Sequence, residues 1–501
     1  MTEAASLSNS ESKQPSISRN ILWVAFSTIF GRGLNLISGI IVARILLPED
    51  FGIISMAATF SGLIDVFSRL GIEVFIVSKQ DITKKEINSV YLLNIFIGLS
   101  FALIMILGGP IVAAIYKTSE VKNIFIFSAF SFFMCSLASI PRALLVKSMK
   151  QNVISKIELF QSILNTLLII VFAFLGFKYL SFVIPLAIVS FITTAIYMYL
   201  TKWQFSFFFE KETVKQVLNY GKSFMPKTFL DFLIYNSDYI FVGYLLGTKL
   251  LGYYFFGFEK AMIAVLVFVN ITCKIYLPIF SQIQSNKVKL REKFFSLVKK
   301  QTFIMYPVIF LQIILASQLI NLAWGSRWDD SIFVFMCISV YVFGRIMATI
   351  IHVLFDAIGH PEYNLKHFLV AAPICVTGLF IGTKLGGLKG VSIAAMIVHL
   401  SSFFLLLVRT KYMLKWSLKE LLRSFSQCFI PIMAQLPIII PLKFVMEYLH
   451  LPNWFIIITL SSIVAVLYLY FAKLFIYDTY ASTFVPYKQK IFAKLKLVNA
   501  E

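Results

Sequence analysis

Apolar positions in this chain come in long runs and not at a short period. Stretches of about twenty apolar residues, separated by brief polar intervals, recur from residue 20 to residue 477, and a helix needs about that length to span a hydrocarbon layer of about 30 Å. The pattern predicts helices near 20–46, 50–73, 87–110, 121–144, 153–177 and 180–200. A second set follows near 223–246, 252–280, 298–321, 330–356, 363–382 and 388–409, and two further helices lie near 425–448 and 453–477. The expected fold is therefore an all-α polytopic membrane protein of about fourteen transmembrane helices: two six-helix bundles plus two C-terminal helices.

The polar intervals divide the chain. Residues 1–19 are Ser-rich and read as a disordered cytoplasmic N-terminus. Their Glu3 and Glu11 stand where a signal peptide would be basic, so the first apolar helix is expected to remain in the protein. An N-terminal six-helix bundle over 20–200 is followed by a connection at 201–222, a C-terminal six-helix bundle over 223–409 and a loop at 410–424. Helices 13 and 14 occupy 425–477, and a basic tail covers 478–501. Lysine and arginine crowd alternate intervals, for example Lys79, Lys84 and Lys85, then Arg142, Lys147 and Lys150, then Lys202, Lys211 and Lys215. The opposite intervals carry single charges such as Lys117, Lys178, Lys249 and Arg327. Positive loops stay on the cytoplasmic side, which places both termini there and requires an even number of spans.

Composition narrows the class. The chain is 59% hydrophobic and 14% charged, with a mean hydropathy of +0.84, whereas soluble domains are about a quarter charged. Its formal charge of +21 sits in orientation-setting loops facing anionic headgroups, so no nucleic-acid partner is expected. The five cysteines and five histidines form neither a CxxC pair nor an HExxH motif, so neither a metal nor any other cofactor is expected. Gly221-Lys222-Ser223 imitates the end of a Walker A loop, but Gln216 occupies the position of its first glycine and a helix precedes it. Transport must then draw on an ion gradient or the substrate gradient. The outward loops are short, which leaves no room for an external catalytic domain; an enzyme is not expected.

The two halves share a local pattern. Ile45-Leu46-Leu47-Pro48-Glu49-Asp50-Phe51-Gly52 closes the first helix, and Leu245-Leu246-Gly247-Thr248-Lys249-Leu250-Leu251-Gly252 closes the seventh. Such a repeat predicts bundles related by a pseudo-two-fold axis along the membrane normal. The stretch Ile41-Val42-Ala43-Arg44-Ile45-Leu46-Leu47-Pro48-Glu49-Asp50-Phe51-Gly52 resembles the opening signature of the polysaccharide transporter family. Asn236-Ser237-Asp238-Tyr239 with Gly252-Tyr253-Tyr254 resembles its second-half signature, and Phe355-Asp356-Ala357-Ile358-Gly359 a third. That family comprises Wzx-type flippases for lipid-linked O-antigen and exopolysaccharide units, within the multidrug/oligosaccharidyl-lipid/polysaccharide exporter superfamily. The resemblance implies a lipid-linked oligosaccharide substrate flipped by alternating access in a bacterial inner membrane. It also implies membrane lipids, a polysaccharide polymerase and a chain-length regulator as partners. A cation-coupled multidrug exporter, a lipid-II-type flippase and a membrane polymerase or ligase are the alternatives.

Ionisable groups within spans are costly and therefore candidates for function. Arg32, Asp231 and Arg345 fall near mid-depth of the first, seventh and tenth spans, with Asp238 and His352 each seven residues beyond a member of this set. These five are the cavity candidates. Asp65 and Glu259 are the ion-coupling candidates. Asp65 stands four residues from Arg69, a spacing at which the two can also neutralise each other. Arg44 is placed to meet Glu49 or Asp50, and Gly31, Gly33 and Pro226 are expected to loosen the helices that open the halves.

Overall fold

The computed structural model describes residues 17–68, 72–79, 81–202 and 205–481, with the side chains of Arg32 and Asp65 outside the described set. All regular structure among the described residues is helical. The order is α1 (Ile17–Ile45), α2 (Pro48–Ser68), α3 (Ile72–Ser78), α4 (Lys84–Ile115), α5 (Val121–Lys147), α6 (Gln151–Phe174) and α7 (Leu180–Thr201). It continues with α8 (Lys211–Gln282), α9 (Lys287–Ile314), α10 (Ala316–Ala323), α11 (Asp330–Ala357), α12 (Glu362–Leu414), α13 (Leu418–Tyr448) and α14 (Asn453–Phe475). Ten of the described helices are long and apolar enough to cross a membrane. The protein is an all-α, polytopic membrane protein.

Helix ends follow local chemistry. Thr83 and Ser417 open α4 and α13 with capping boxes closed by Glu86 and Glu420, which satisfy amide groups that a first turn leaves free. Asn286 opens α9 by accepting the Lys289 amide. At the other ends, left-handed lysines terminate α7 (Lys202, φ 48) and α12 (Lys415, φ 52). Glycine is the usual residue there, but a lysine places its charge against the negative pole of the helix.

Two elements are hairpins. α8 contains a single non-helical residue, Gly247 (φ 84, ψ 178). The Tyr254 hydroxyl donates to Asp238 Oδ2 at 2.8 Å across that residue. In a straight helix those positions would stand about 24 Å apart at 1.5 Å per residue, so the limbs fold back on each other. Gly247 adopts the left-handed conformation that a side chain would resist. α12 turns likewise at Gly387 (φ 55). A Cβ built on Gly390 would meet the Gly382 carbonyl oxygen at 2.2 Å, so glycines let the two backbones touch beside the turn. Pro226 leaves α8 helical. Nor do Gly31 and Gly33 interrupt α1: a Cβ on Gly31 would meet Ser162 Oγ at 3.0 Å, while Gly33 has open space. Gly31 thus serves close packing against α6, and neither the glycines nor Pro226 breaks its helix.

The chain forms two compact units, Met1–Phe229 and Leu230–Glu501. In the first, Ile72, Phe75 and Ile76 of α3 are buried with Val90, Tyr91, Ile140 and Val217. Burial of Val217 explains why the opening turns of α8 belong to this unit. In the second, α13 and α14 pack onto α9 and α10 through Phe303, Leu315, Ile439, Leu460 and Tyr468. Large apolar side chains such as Leu107, Phe96, Val466 and Phe444 remain exposed on the long helices. In water such surface would be a liability; against lipid it is the expected face.

Candidate functional site

Mid-helix charge in the second unit converges on Arg345. The residue lies midway along α11 and is half-buried. Its Nη1 donates to the Tyr341 hydroxyl at 3.1 Å, one turn earlier. Its guanidinium carbon lies 4.0 Å from the ring centroid of Tyr235 in the first limb of α8, a cation–π contact. The His399 imidazole from the second limb of α12 stacks on Tyr235 at 5.7 Å and meets Tyr341 edge-on at 4.2 Å. α11 and α12 pass close beside it: a Cβ on Gly344 would stand 3.3 Å from Leu400 Cδ2 and 3.4 Å from the His399 carbonyl oxygen.

Three carboxylates lie within electrostatic reach of this cation. Asp231, Asp238 and Glu259 all act electrostatically on Arg345. Asp238 is buried, accepting from the Tyr254 hydroxyl at 2.8 Å and from the Tyr239 amide at 2.9 Å. Its oxygens are thereby committed within the α8 hairpin. Glu259 is exposed on the second limb. Its neighbour Lys260 instead lays its ammonium over Phe256 and Trp324, at 5.2 and 5.7 Å from the ring centroids. Phe258 bridges the two groups of tyrosines, 5.4 Å from Tyr239 and 5.6 Å from Tyr341. The result is a guanidinium set in an aromatic wall with acidic groups beyond it. Such a wall offers ring faces, hydroxyls and one directional fork of donors.

Of the sequence candidates, Arg345, Asp231, Asp238 and Glu259 come together. His352 does not join them. Its Nδ1 lies 2.7 Å from Asn364 Oδ1, and its ring stacks on Phe368 at 5.1 Å. Asn364 in turn donates to Asp356 at 2.8 Å, so His352 fastens the α11–α12 junction near the end of α11. Seven residues share a helix face, but about 10 Å of rise separates them. Arg32 and Asp65 lie outside the described side chains. Asp50 accepts the amides of Leu47 at 3.1 Å and Tyr179 at 3.2 Å, tying the α1–α2 turn to the start of α7. Tyr235, Tyr341, Tyr254 and His399 escaped sequence reasoning, because aromatic residues inside apolar runs carry no hydropathy signal. Their one visible sign is the four-residue spacing of Asp231 to Tyr235 and of Tyr341 to Arg345.

A site built on helices invites comparison with known membrane proteins. The polysaccharide biosynthesis protein family matches residues 41–333, more than half of the chain. The chain belongs to that family. Among relatives of this polysaccharide biosynthesis protein is the lipopolysaccharide biosynthesis protein WzxC of Escherichia coli (strain K12). It is 21% identical over 380 residues, covering 75% of this chain and 77% of WzxC. The teichuronic acid biosynthesis protein TuaB of Bacillus subtilis (strain 168) is 21% identical over 320 residues. That match covers 63% of this chain and 66% of TuaB, so the chain spans just under two thirds of TuaB. In three dimensions it resembles the lipid II flippase MurJ in an inward closed conformation, with a TM-score of 0.75 at 17% identity. That likeness covers 91% of this chain and 99% of MurJ. The polysaccharide biosynthesis protein thus has a transporter fold, and the family resemblance read from its first signature holds.

Proposed function

We propose that the protein flips polyprenyl-pyrophosphate-linked oligosaccharide units from the cytosolic to the outer leaflet of a bacterial inner membrane by alternating access. The product feeds surface polysaccharide such as O-antigen, capsule or exopolysaccharide. The observation that carries this reading is Arg345, half-buried at mid-helix against Tyr235 and Tyr341, in a chain of the polysaccharide biosynthesis family. A guanidinium binds phosphate oxygens through a planar fork, and tyrosine faces pack against sugar rings. An intramembrane cation is costly, and the pyrophosphate of a lipid-linked substrate would add to the stabilisation that the nearby carboxylates give Arg345. The relatives agree in kind: WzxC is a lipopolysaccharide biosynthesis protein, TuaB a teichuronic acid biosynthesis protein, and MurJ a lipid II flippase. About fourteen crossings with both termini cytoplasmic, and a polymerase and chain-length regulator as partners, complete the proposal.

A deletion strain tests it. Lipid-linked oligosaccharide should accumulate on the cytosolic leaflet of its inner membrane, and the wild-type gene should clear it. Unchanged intermediate levels and unchanged surface polysaccharide would sink the reading. A second reading, cation-coupled drug export, is favoured by the three carboxylates near Arg345. It requires that the same strain become sensitive to cationic drugs. If the carboxylates serve instead to couple flipping to an ion, Glu259 is the candidate within this cluster and Asp65 the candidate in the other half.

A further inference from the structure

The segment between α7 and α8 carries a feature that substrate transport leaves unused. Residues 205–209 read Phe-Ser-Phe-Phe-Phe, and all four rings are exposed: Phe207 at 88%, Phe209 at 61%, Phe205 at 40% and Phe208 at 37%. A loose polar loop would not hold four aromatic rings outward in this way. The backbone is bolted to the first turns of α4. Asn88 Nδ2 donates to Ser206 Oγ at 2.6 Å, and Ser89 Oγ donates to the Phe208 carbonyl at 3.2 Å. The Glu210 amide donates to Ser89 Oγ at 2.8 Å. Tyr91 meets Phe205 edge-on at 5.7 Å, and Phe205 meets Phe207 at 4.6 Å.

Depth and charge identify the surroundings. The segment lies where α7 ends at Thr201 and α4 begins at Lys84, so it sits level with the ends of two long apolar helices. Around it, Lys84, Lys85, Lys202, Lys211 and Lys215 are exposed, and Lys85 Nζ stands 5.0 Å from the centroid of the Phe208 ring. Glu86 is paired with Lys79 and Glu210 accepts from Thr213, so the five exposed lysines outnumber the exposed acids beside them, Asp81 and Glu212. Phenylalanine rings flanked by lysines bury into the headgroup–acyl boundary, and clustered lysines there bind anionic headgroups. A protein partner would equally cover the rings, but it would not explain a ring of lysines at headgroup depth.

We infer that Phe205–Phe209 and the surrounding lysines form an interfacial anchor that binds anionic phospholipid headgroups of the adjacent leaflet and buries Phe207 and Phe209 below them. The anchor fixes the α7–α8 segment of the first unit to the bilayer surface. It does not depend on which substrate is carried.

The test uses the full chain in vesicles, with a nitroxide at Phe207→Cys in a background whose native cysteines are replaced by serine. In vesicles of phosphatidylcholine with a quarter phosphatidylglycerol, oxygen should reach the nitroxide more readily than a water-soluble nickel chelate does, as at an acyl-chain depth. Replacing Lys84, Lys85, Lys202, Lys211 and Lys215 by glutamine should abolish the deeper reading gained on adding phosphatidylglycerol. The arginine version of the same set should keep it, which separates charge from folding. A nitroxide accessible to the nickel chelate in both lipid mixtures overturns the anchor. Equal depth with and without phosphatidylglycerol overturns the anionic specificity.

Discussion

Two arginines, one in each unit, are neutralised in opposite ways. Arg142 of α5 pairs with Glu73 of α3 at 2.5 Å and with Glu158 of α6 at 3.3 Å. Both carboxylates are direct ionic partners, and the three residues tie three helices together. Arg345 of α11 instead donates to the Tyr341 hydroxyl and lies against the Tyr235 ring face, within electrostatic reach of Asp231. A charge closed by direct ion pairs holds structure. A charge held by hydroxyl and aromatic contacts keeps its donors in a fixed direction and its field open to a ligand. By this comparison Arg142 is a clamp, and Arg345 is the group we propose for binding.

The largest expected effect breaks the comparison at Arg345. Arg345→Ala should abolish nearly all glycan export while protein level and thermal stability hold, and Arg345→Lys should lose about tenfold because an ammonium cannot form the planar fork. Export assayed in the deletion strain, beside membrane-fraction protein level, decides it. A fall in protein level matching the loss of export would make Arg345 a clamp as well. Next comes Arg142→Ala, expected to lower stability by about 1–2 kcal/mol, since a half-exposed pair contributes about 1 kcal/mol or less and two pairs are lost. Thermal unfolding in detergent reads this, and a double-mutant cycle with Glu73→Ala should show coupling. The smallest effect is Tyr341→Phe, which removes the hydroxyl that steers the guanidinium but keeps the ring. Export should fall only a few-fold with the melting temperature unchanged; an intact export rate would show that the hydroxyl does not orient Arg345.

Long apolar helices were plain in the sequence, because a crossing needs an unbroken run of them. The tight turns near residues 247 and 387 were legible too, from glycine beside apolar flanks. Polar helical extensions were not. α9 begins at Lys287 and not near 298, and α13 at Leu418 and not near 425, since charged first turns lower any hydropathy window. The Ser417–Glu420 capping box was the overlooked signal for α13. α3 was missed because its seven residues are too few to register as a run, though they bury Ile72 and Ile76 and place Glu73 against Arg142. At the candidate site the charges were visible one by one. Their aromatic setting was not, because His399 and Tyr235 meet only after α12 and α8 have each doubled back.

The hairpin at Gly247 also bears on how the protein is made. If the two limbs of α8 enter the bilayer together, Asp238 and Tyr254 enter as a hydrogen-bonded pair, so neither polar group has to be partitioned alone into hydrocarbon. A residue at 247 that kept the helix straight would present that aspartate to the insertion machinery without its tyrosine. The defect would arise during biogenesis, before any substrate could be bound.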